Sequence, residues 1–147
     1  MASPRSDHLY GTTAEKTCVL LDSNFILVPL TLGIDIFQEI PRLMSRPIEL
    51  VLLDAVRREL EELARSSGPK LRRQISSSLQ SAESGCRVVG TSSVGKSVDD
   101  LLVRVALENH CLVATNDRDL KRKLRRLGVP VIFVRQSSRL EIDGWAE

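Results

Sequence analysis

At 147 residues and 16.4 kDa the chain has the size of one domain, and 42% hydrophobic with 27% charged residues is an ordinary globular balance that argues against a disordered or fibrous chain. No stretch approaches the ~20 consecutive apolar residues of a membrane span. The net charge of +2 (21 basic, 19 acidic) is uneven: eight Lys or Arg and one acid lie between Arg118 and Arg139, a segment that suits a polyanion or an ordinary solvated helix face.

Residues 1–16 are polar and mixed, lack the apolar centre of a signal peptide, and read as a leader to a single domain over 17–147. The cytoplasm is the expected location. Cys18-Val19-Leu20-Leu21 is a short apolar run of the kind found in buried parallel strands, and it stops at Asp22-Ser23-Asn24. A helix is expected near Gly33 to Met44, weakened or kinked towards its end by Pro41. Glu49 to Leu53 forms a second apolar run. Asp54 then suits an N-cap for a helix in which Val56, Leu60 and Leu63 recur on one face. Ser66 to Pro69 breaks it, and a further helix runs through Leu71, Ile75 and Leu79 despite the serines at 76–78.

Arg87 to Val89 is a third strand, followed by a Gly/Ser loop over 90–97. Ser97 and Asp100 form a capping box for a helix from Val98 to Asn109. Leu112 to Ala114 is a fourth strand. Asp117 to Leu127 is a helix with Leu120, Leu124 and Leu127 on one stripe, closed by Gly128. Pro130 to Val134 is a fifth strand, and the tail is an edge element or a loop. Strands alternating with helices imply an α/β fold with a parallel sheet.

The cysteines, Cys18, Cys86 and Cys111, are odd in number and form no CxxC pair, so reduced buried thiols are expected. The histidines are His8 and His110, the first in the polar leader and the second at a helix end, which leaves little basis for a histidine-pair ribonuclease.

Ligands of open parallel sheets sit beyond the carboxyl ends of the strands, and that is where acids fall. Asp22 ends the first strand, and Asp117 follows the fourth after Thr115 and Asn116. Asp99 lies in the first turn of a helix, three before Leu102 and four before Val103, and so borders the buried stripe. Glu59 flanks the stripe of Val56 and Leu63. Each acid alone has a plainer explanation: a turn residue, an N-terminal helix acid favoured by the dipole, or one glutamate of a solvated run with Glu61 and Glu62. That explanation has to hold four times over, at the sheet edge where a site belongs.

Like charges ~4 Å apart repel by about 1 kcal/mol in water and several times more in a partly dry cleft. A set of carboxylates with no neighbouring His or Cys suits a hard cation, Mg²⁺ or Mn²⁺. Such ions favour phosphodiester displacement, and surrounding basic residues would hold the strand.

Several runs resemble the motifs of PIN-domain nucleases. Leu20-Leu21-Asp22-Ser23-Asn24 is similar to their opening motif, and Val56-Arg57-Arg58-Glu59-Leu60 to the second acidic motif. Asp99-Asp100-Leu101-Leu102-Val103-Arg104-Val105-Ala106 is similar to the third. Val113-Ala114-Thr115-Asn116-Asp117-Arg118-Asp119-Leu120 resembles the fourth, and Gly128 to Arg135 the closing strand. The spacing to Leu102 and Ala106 favours Asp99 over Asp100. The resemblance covers about residues 17–136 and is closer to archaeal VapC-like and ribosome-processing proteins than to short bacterial toxins. It implies a three-layer α/β/α sandwich with a mostly parallel central sheet and metal-dependent cleavage of single-stranded RNA. It further implies frequent homodimers, with an antitoxin or a ribosome-assembly factor as partner. One or two Mg²⁺ or Mn²⁺ ions would be held by Asp22, Glu59, Asp99 and Asp117, with Asp119 assisting. Ser23, Asn24 and Thr115 would orient the carboxylates. Lys96, Arg118 and Arg122 are candidate phosphate contacts.

Three other readings compete. Gly90 to Ser97 matches the GxxxxGK[ST] phosphate-binding loop in full, between a strand and a helix, and taken alone signals a nucleotide site. Against it, the strands ending in Asp22 and Asp54 precede the loop, and only fifty residues follow Ser97 to complete a nucleotide site. A phospho-receiver domain would want paired acids after the first strand and a lysine ending the last, where this chain has Asp22 alone and Arg135. A PIN-like scaffold that binds RNA or protein without cutting is the third, and the presence of all four acids argues against it.

Overall fold

A computed structural model describes residues 16–92 and 96–145; the leader up to residue 15, the middle of the Gly/Ser loop at 93–95 and the last two residues lie outside it. Six strands form one sheet: β1 (Thr17–Leu21), β2 (Ile48–Leu53), β3 (Arg87–Val89), β4 (Leu112–Ala114), β5 (Val131–Arg135) and β6 (Arg139–Asp143). The helices are α1 (Ser23–Ile26), α2 (Val28–Leu32), α3 (Ile36–Met44), α4 (Asp54–Arg65), α5 (Pro69–Gly85), α6 (Val98–Asn109) and α7 (Arg118–Arg126).

The strand order is β3-β2-β1-β4-β5-β6. The first five strands run parallel, and β6 turns back antiparallel on β5 to close one edge. β1, β2 and β4 are buried almost throughout, as strands covered on both faces must be. α1, α2, α4 and α5 pack together, α6 covers β1 and β4, and α7 covers β5, giving the three-layer α/β/α sandwich. Gly85 ends α5 against Phe37, where a Cβ would stand 2.9 Å from the ring.

The order reverses between β1 and β4. β1 pairs with β2 on one side and, through Leu21 opposite Ala114, with β4 on the other. The carboxyl ends of strands at such a reversal are the preferred seat for a ligand in sheets of this kind.

Several local expectations are corrected. Two short helices, α1 and α2, fill residues 23–32 before α3 begins, and α3 starts at Ile36 because Asp35 caps it by accepting from the Phe37 and Gln38 amides. It runs through Pro41 to Met44 and ends in left-handed Ser45. Asp54 is the first residue of α4, not its cap; its carboxylate accepts from Thr91 N–H and Oγ1 and pairs with Arg58. Leu63 and Leu71 are on the expected helices, whereas Leu127 is the residue after α7, and the three are 43%, 46% and 47% exposed because each lies beyond the reach of the neighbouring layer. α5 passes unbroken through the serine run, anchored by Ile75, Leu79 and Ala82.

Other expectations match the structure. Ser97 Oγ accepts from the Asp100 amide to cap α6, His110 ends that helix in a left-handed conformation, and Gly128 (φ +83°) follows α7. The three cysteines stand as free thiols, Cys18 and Cys111 buried as expected and Cys86 only half-buried. No described helix is long and apolar enough to cross a membrane.

Candidate active site

Among the described residues the buried polar side chains are two, Asp22 and Thr115, and they touch. Asp22 is the residue after β1, and its backbone N–H reaches across to Ala114 O of β4 at 3.0 Å. Thr115 follows β4. Its hydroxyl donates to Asp22 Oδ2 at 2.7 Å and accepts from the Asp117 amide at 3.1 Å and from Asn24 Nδ2 at 3.4 Å. One donor and two lone pairs are thereby all used, which is how a hydroxyl survives full burial.

Asp22 is further held by Ser23 N–H to Oδ1 (2.8 Å) and by Asn24 Nδ2 to Oδ2 (3.2 Å). These bonds favour its charged form, but burial outweighs them. With Asp99 and Glu59 adding repulsion, the carboxyl is pushed up to about 6. A hydrophobic residue here would leave the Thr115 hydroxyl without an acceptor.

Glu59 projects from α4 at the rim, exposed, where its Oε1 accepts from Ser23 Oγ at 2.6 Å. Ser23 therefore links two of the acids. Asp99, in the first turn of α6, is more open to solvent than its place beside the apolar stripe suggests. Partial desolvation, then Asp117 and Glu59, still hold its carboxyl above the usual aspartate range. Its neighbour Asp100 is driven the other way by Lys123, 3.2 Å away. The two adjacent aspartates thus have opposite electrostatic surroundings, and Asp99 is the one that feels other acids.

Asp117 is the N-cap of α7: its Oδ1 accepts from the Asp119 and Leu120 amides, which points the carboxylate back over the helix start. Asp119 turns away. Its side chain is 89% exposed and paired with Arg122, so the structure does not bring it to the other four. Arg122 is occupied by the same pair, while Arg118 and Lys96 are exposed. The phosphate-loop reading of Gly90 to Ser97 falls partly on residues 93–95, outside the described residues.

Four acids from four segments thus act on one another at the sheet reversal. Among the described residues no three of His, Cys, Asp or Glu stand at the spacing of a formed metal site. The donor chemistry fits a hard divalent cation all the same: the donors are carboxylate oxygens, and burial first, then the neighbouring acids, raise both Asp22 and Asp99, so a bound cation would offset part of that cost. Two participants were not foreseen. Asn116 accepts from Val134 N–H (2.8 Å) while its own N–H donates to Asn24 Oδ1 (3.1 Å), tying β5 to α1 behind Asp22. Lys123 is the cation that faces Asp99 and Asp100. An amide side chain directly before a capping aspartate was the available signal for the first; nothing local marks the second.

The sequence matches the PIN-like domain family over residues 19–137, a span that includes all four acids. The chain belongs to that family. Ribonuclease VapC4 of Methanocaldococcus jannaschii is 31% identical to this PIN-like chain over 128 residues, covering 86% of it and 96% of the relative. The rRNA-processing protein FCF1 of Saccharomyces cerevisiae is 31% identical over 118 residues, 79% of this chain, which spans 59% of the yeast protein. Among solved structures, the PIN domain endonuclease Utp24 superposes with a TM-score of 0.72 at 26% identity, over 88% of this chain and 93% of that one.

Proposed function

We propose that this PIN-like protein is a metal-dependent endoribonuclease that hydrolyses phosphodiesters of single-stranded RNA, with Asp22, Glu59, Asp99 and Asp117 as the acidic group. The observation that carries the reading is Asp22, 4% exposed at the sheet reversal, with its carboxyl raised to about 6 by burial and by Asp99 and Glu59. A structural aspartate gains from having its charge neutralised by a nearby base; this one is held by neutral donors, and the charges that act on it are those of Asp99 and Glu59.

Asp22, Glu59, Asp99 and Asp117 would hold one or two Mg²⁺ or Mn²⁺ ions, in keeping with the general use of divalent ions by PIN nucleases. When bound, such an ion supplies positive charge against a phosphodiester and acidifies water. The chain's own part is to keep the acids aimed. Thr115, Asn24 and the Ser23 amide fix both oxygens of Asp22, and Ser23 Oγ fixes Glu59. The α7 amides fix Asp117. Toxin-type RNA cleavage and RNA processing both fit the ribonuclease and rRNA-processing names of the relatives, and the cytoplasm is the location we propose for either.

The test is incubation of labelled single-stranded RNA with the protein in Mn²⁺, Mg²⁺ or EDTA, beside an Asp99→Asn variant. Internal cleavage that requires the ion and is lost in the variant is expected. Equal cleavage in EDTA would remove the metal from the reading, and an unaffected variant would remove the site.

A further inference from the structure

On the far side of Asp22 from Glu59, the surface sinks into a cavity of about 430 Å³ between the start of α7, the end of β5 and the β5–β6 turn. Thr115 and Asn116 form its wall towards the acids, so it opens beside them. Its other walls carry Arg118, Lys121, Phe133 and Arg135. The volume suits a nucleotide-sized group.

The charges in this cavity are organised. Lys121 Nζ sits 3.5 Å from the centre of the Phe133 ring, and the Arg135 guanidinium 5.5 Å from it. One ring therefore gathers a cation from α7 and one from β5. The acids of β6 do not cancel them. Glu141 is shared between Arg135 (2.7 Å) and Arg139 (3.1 Å), and Asp143 between Lys121 (3.7 Å) and Arg125 (3.5 Å). Each acid serves two bases, so a positive excess remains, to which Arg118 adds its own charge.

The cavity on the opposite side of the acids has the reverse character. It is lined by Ser23, Glu59 and Glu62 with Leu27, Leu60 and Leu63, and holds no basic side chain. A polyanion crossing the acidic group meets repulsion on that side and attraction on this one.

We infer that the Phe133 cavity seats a backbone phosphate of the RNA strand next to the one that is cut, with Arg118, Lys121 and Arg135 as its contacts and Phe133 as the positioning residue. The inference rests on the ribonuclease reading of the adjacent acids. The contacts are to phosphate and not to base edges, so the cavity sets where the strand lies and contributes no sequence preference.

Equilibrium binding of a fluorescein-labelled single-stranded RNA, measured in EDTA so that no cutting occurs, tests this for the parent protein and for Lys121→Gln, Arg135→Gln, Phe133→Leu and Arg126→Gln. Arg126 is an exposed cation of the same helix outside the cavity. Releasing counterions from one phosphate contact changes the log–log salt slope by ~0.7, about fivefold in affinity at 0.1 M salt. Lys121→Gln and Arg135→Gln are each expected to lose about that much affinity and slope, and Arg126→Gln less than half of it. Phe133→Leu removes no charge, yet is expected to weaken binding about threefold with the slope retained. Losses in Lys121→Gln and Arg135→Gln no greater than in Arg126→Gln would overturn the cavity, as would a parent protein that binds no RNA. Affinity unchanged in Phe133→Leu would overturn the role of the ring. Cleavage measured separately in Mn²⁺ keeps the two ideas apart: cutting with no cavity effect leaves the nuclease and removes the seat, while a cavity effect without cutting does the opposite.

Discussion

The Thr115 hydroxyl donates to Asp22 Oδ2 at 2.7 Å across 93 positions of sequence, joining the first residue past β1 to the first past β4. Both groups are buried, so neither can turn to water if the other is lost. The same hydroxyl accepts from the Asp117 amide, so one side chain serves two of the four acids.

Thr115→Val keeps the shape and removes the hydroxyl. It is expected to cost about 1–3 kcal/mol of stability, since an acceptor and an amide lose a buried partner. The bond also holds the Asp22 carboxyl down, so its loss moves that group further up and shifts the acid limb of the cleavage profile to higher pH. Thr115→Ser should retain most of both properties. Denaturant melts and kcat/KM against pH for the pair would show it; a valine variant with an unmoved profile contradicts it.

Metal-free stability should carry the signature of Asp22. Its carboxyl is raised to about 6 in the fold, so between the ordinary aspartate range and pH 6 the folded chain holds a proton that the unfolded chain has released. The stabilisation from this group is complete at low pH and lost as pH rises through about 6. Asp99, also raised, acts in the same direction. In EDTA, Asp22→Asn should therefore gain on the parent by about 2 kcal/mol between pH 4 and pH 7. Urea titrations of the two proteins across that range measure the gain, and a constant difference contradicts it.

Mn²⁺ should raise the melting temperature of the parent at pH 7. An ion that binds only the folded chain stabilises it by about 2.7 kcal/mol at a hundredfold excess over Kd. Asp22→Asn and Asp99→Asn should melt at the same temperature in Mn²⁺ and in EDTA. A rise of equal size in all three proteins would place the ion elsewhere.

Asp117 and Asp119 are two residues apart and face different surroundings. Asp117 is tied to the Thr115 network, whereas Asp119 is exposed and paired with Arg122. Asp119→Ala should leave cleavage within about twofold, an exposed ion pair on a helix being worth a few tenths of a kcal/mol. Asp117→Asn should abolish it. Equal losses in both would mean that Asp119 swings in to join the group.

Lys96 separates the nuclease from the nucleotide-binding alternative. In a phosphate-binding loop its loss would abolish ATP or GTP binding. Here calorimetry is expected to find no tight nucleotide site in the parent or in Lys96→Ala, and Lys96→Ala should cleave RNA at saturating substrate nearly as fast as the parent. Micromolar nucleotide binding that disappears with the lysine would reverse the assignment.

The parallel strands were readable because strands buried on both faces are written as unbroken apolar runs, as at Cys18–Leu21 and Leu112–Ala114. Capping was readable where the signal is local, as at Ser97 and Asp100. The stretch from Phe25 to Leu32 hid α1 and α2, because an apolar run interrupted by Pro29 has no period to follow. Leu63, Leu71 and Leu127 misled for another reason: spacing identifies the face of a helix but not how far the next layer extends over it. The acids were visible as positions at strand and helix ends. The roles of Asn116 and Lys123 were not, because they depend on contacts between segments distant in sequence, Asn116 with Val134 and Lys123 with Asp100.

The seam between β1 and β4 has a consequence for how the protein is made. Asp22 and Glu59 belong to the early part of the chain, Asp99 and Asp117 to the late part, and β1 must wait for β4 before Leu21 finds Ala114. An emerging chain that has reached only α5 displays two acids with no Thr115 to hold Asp22 and no Ala114 carbonyl to receive its amide. The basic helix α7, which would draw RNA in, also comes late. Assembly through such distant pairings is slow compared with local helix formation. The acidic group is therefore complete only once β4 and the start of α7 have been made, and a chain short of that point carries its first two acids unassembled.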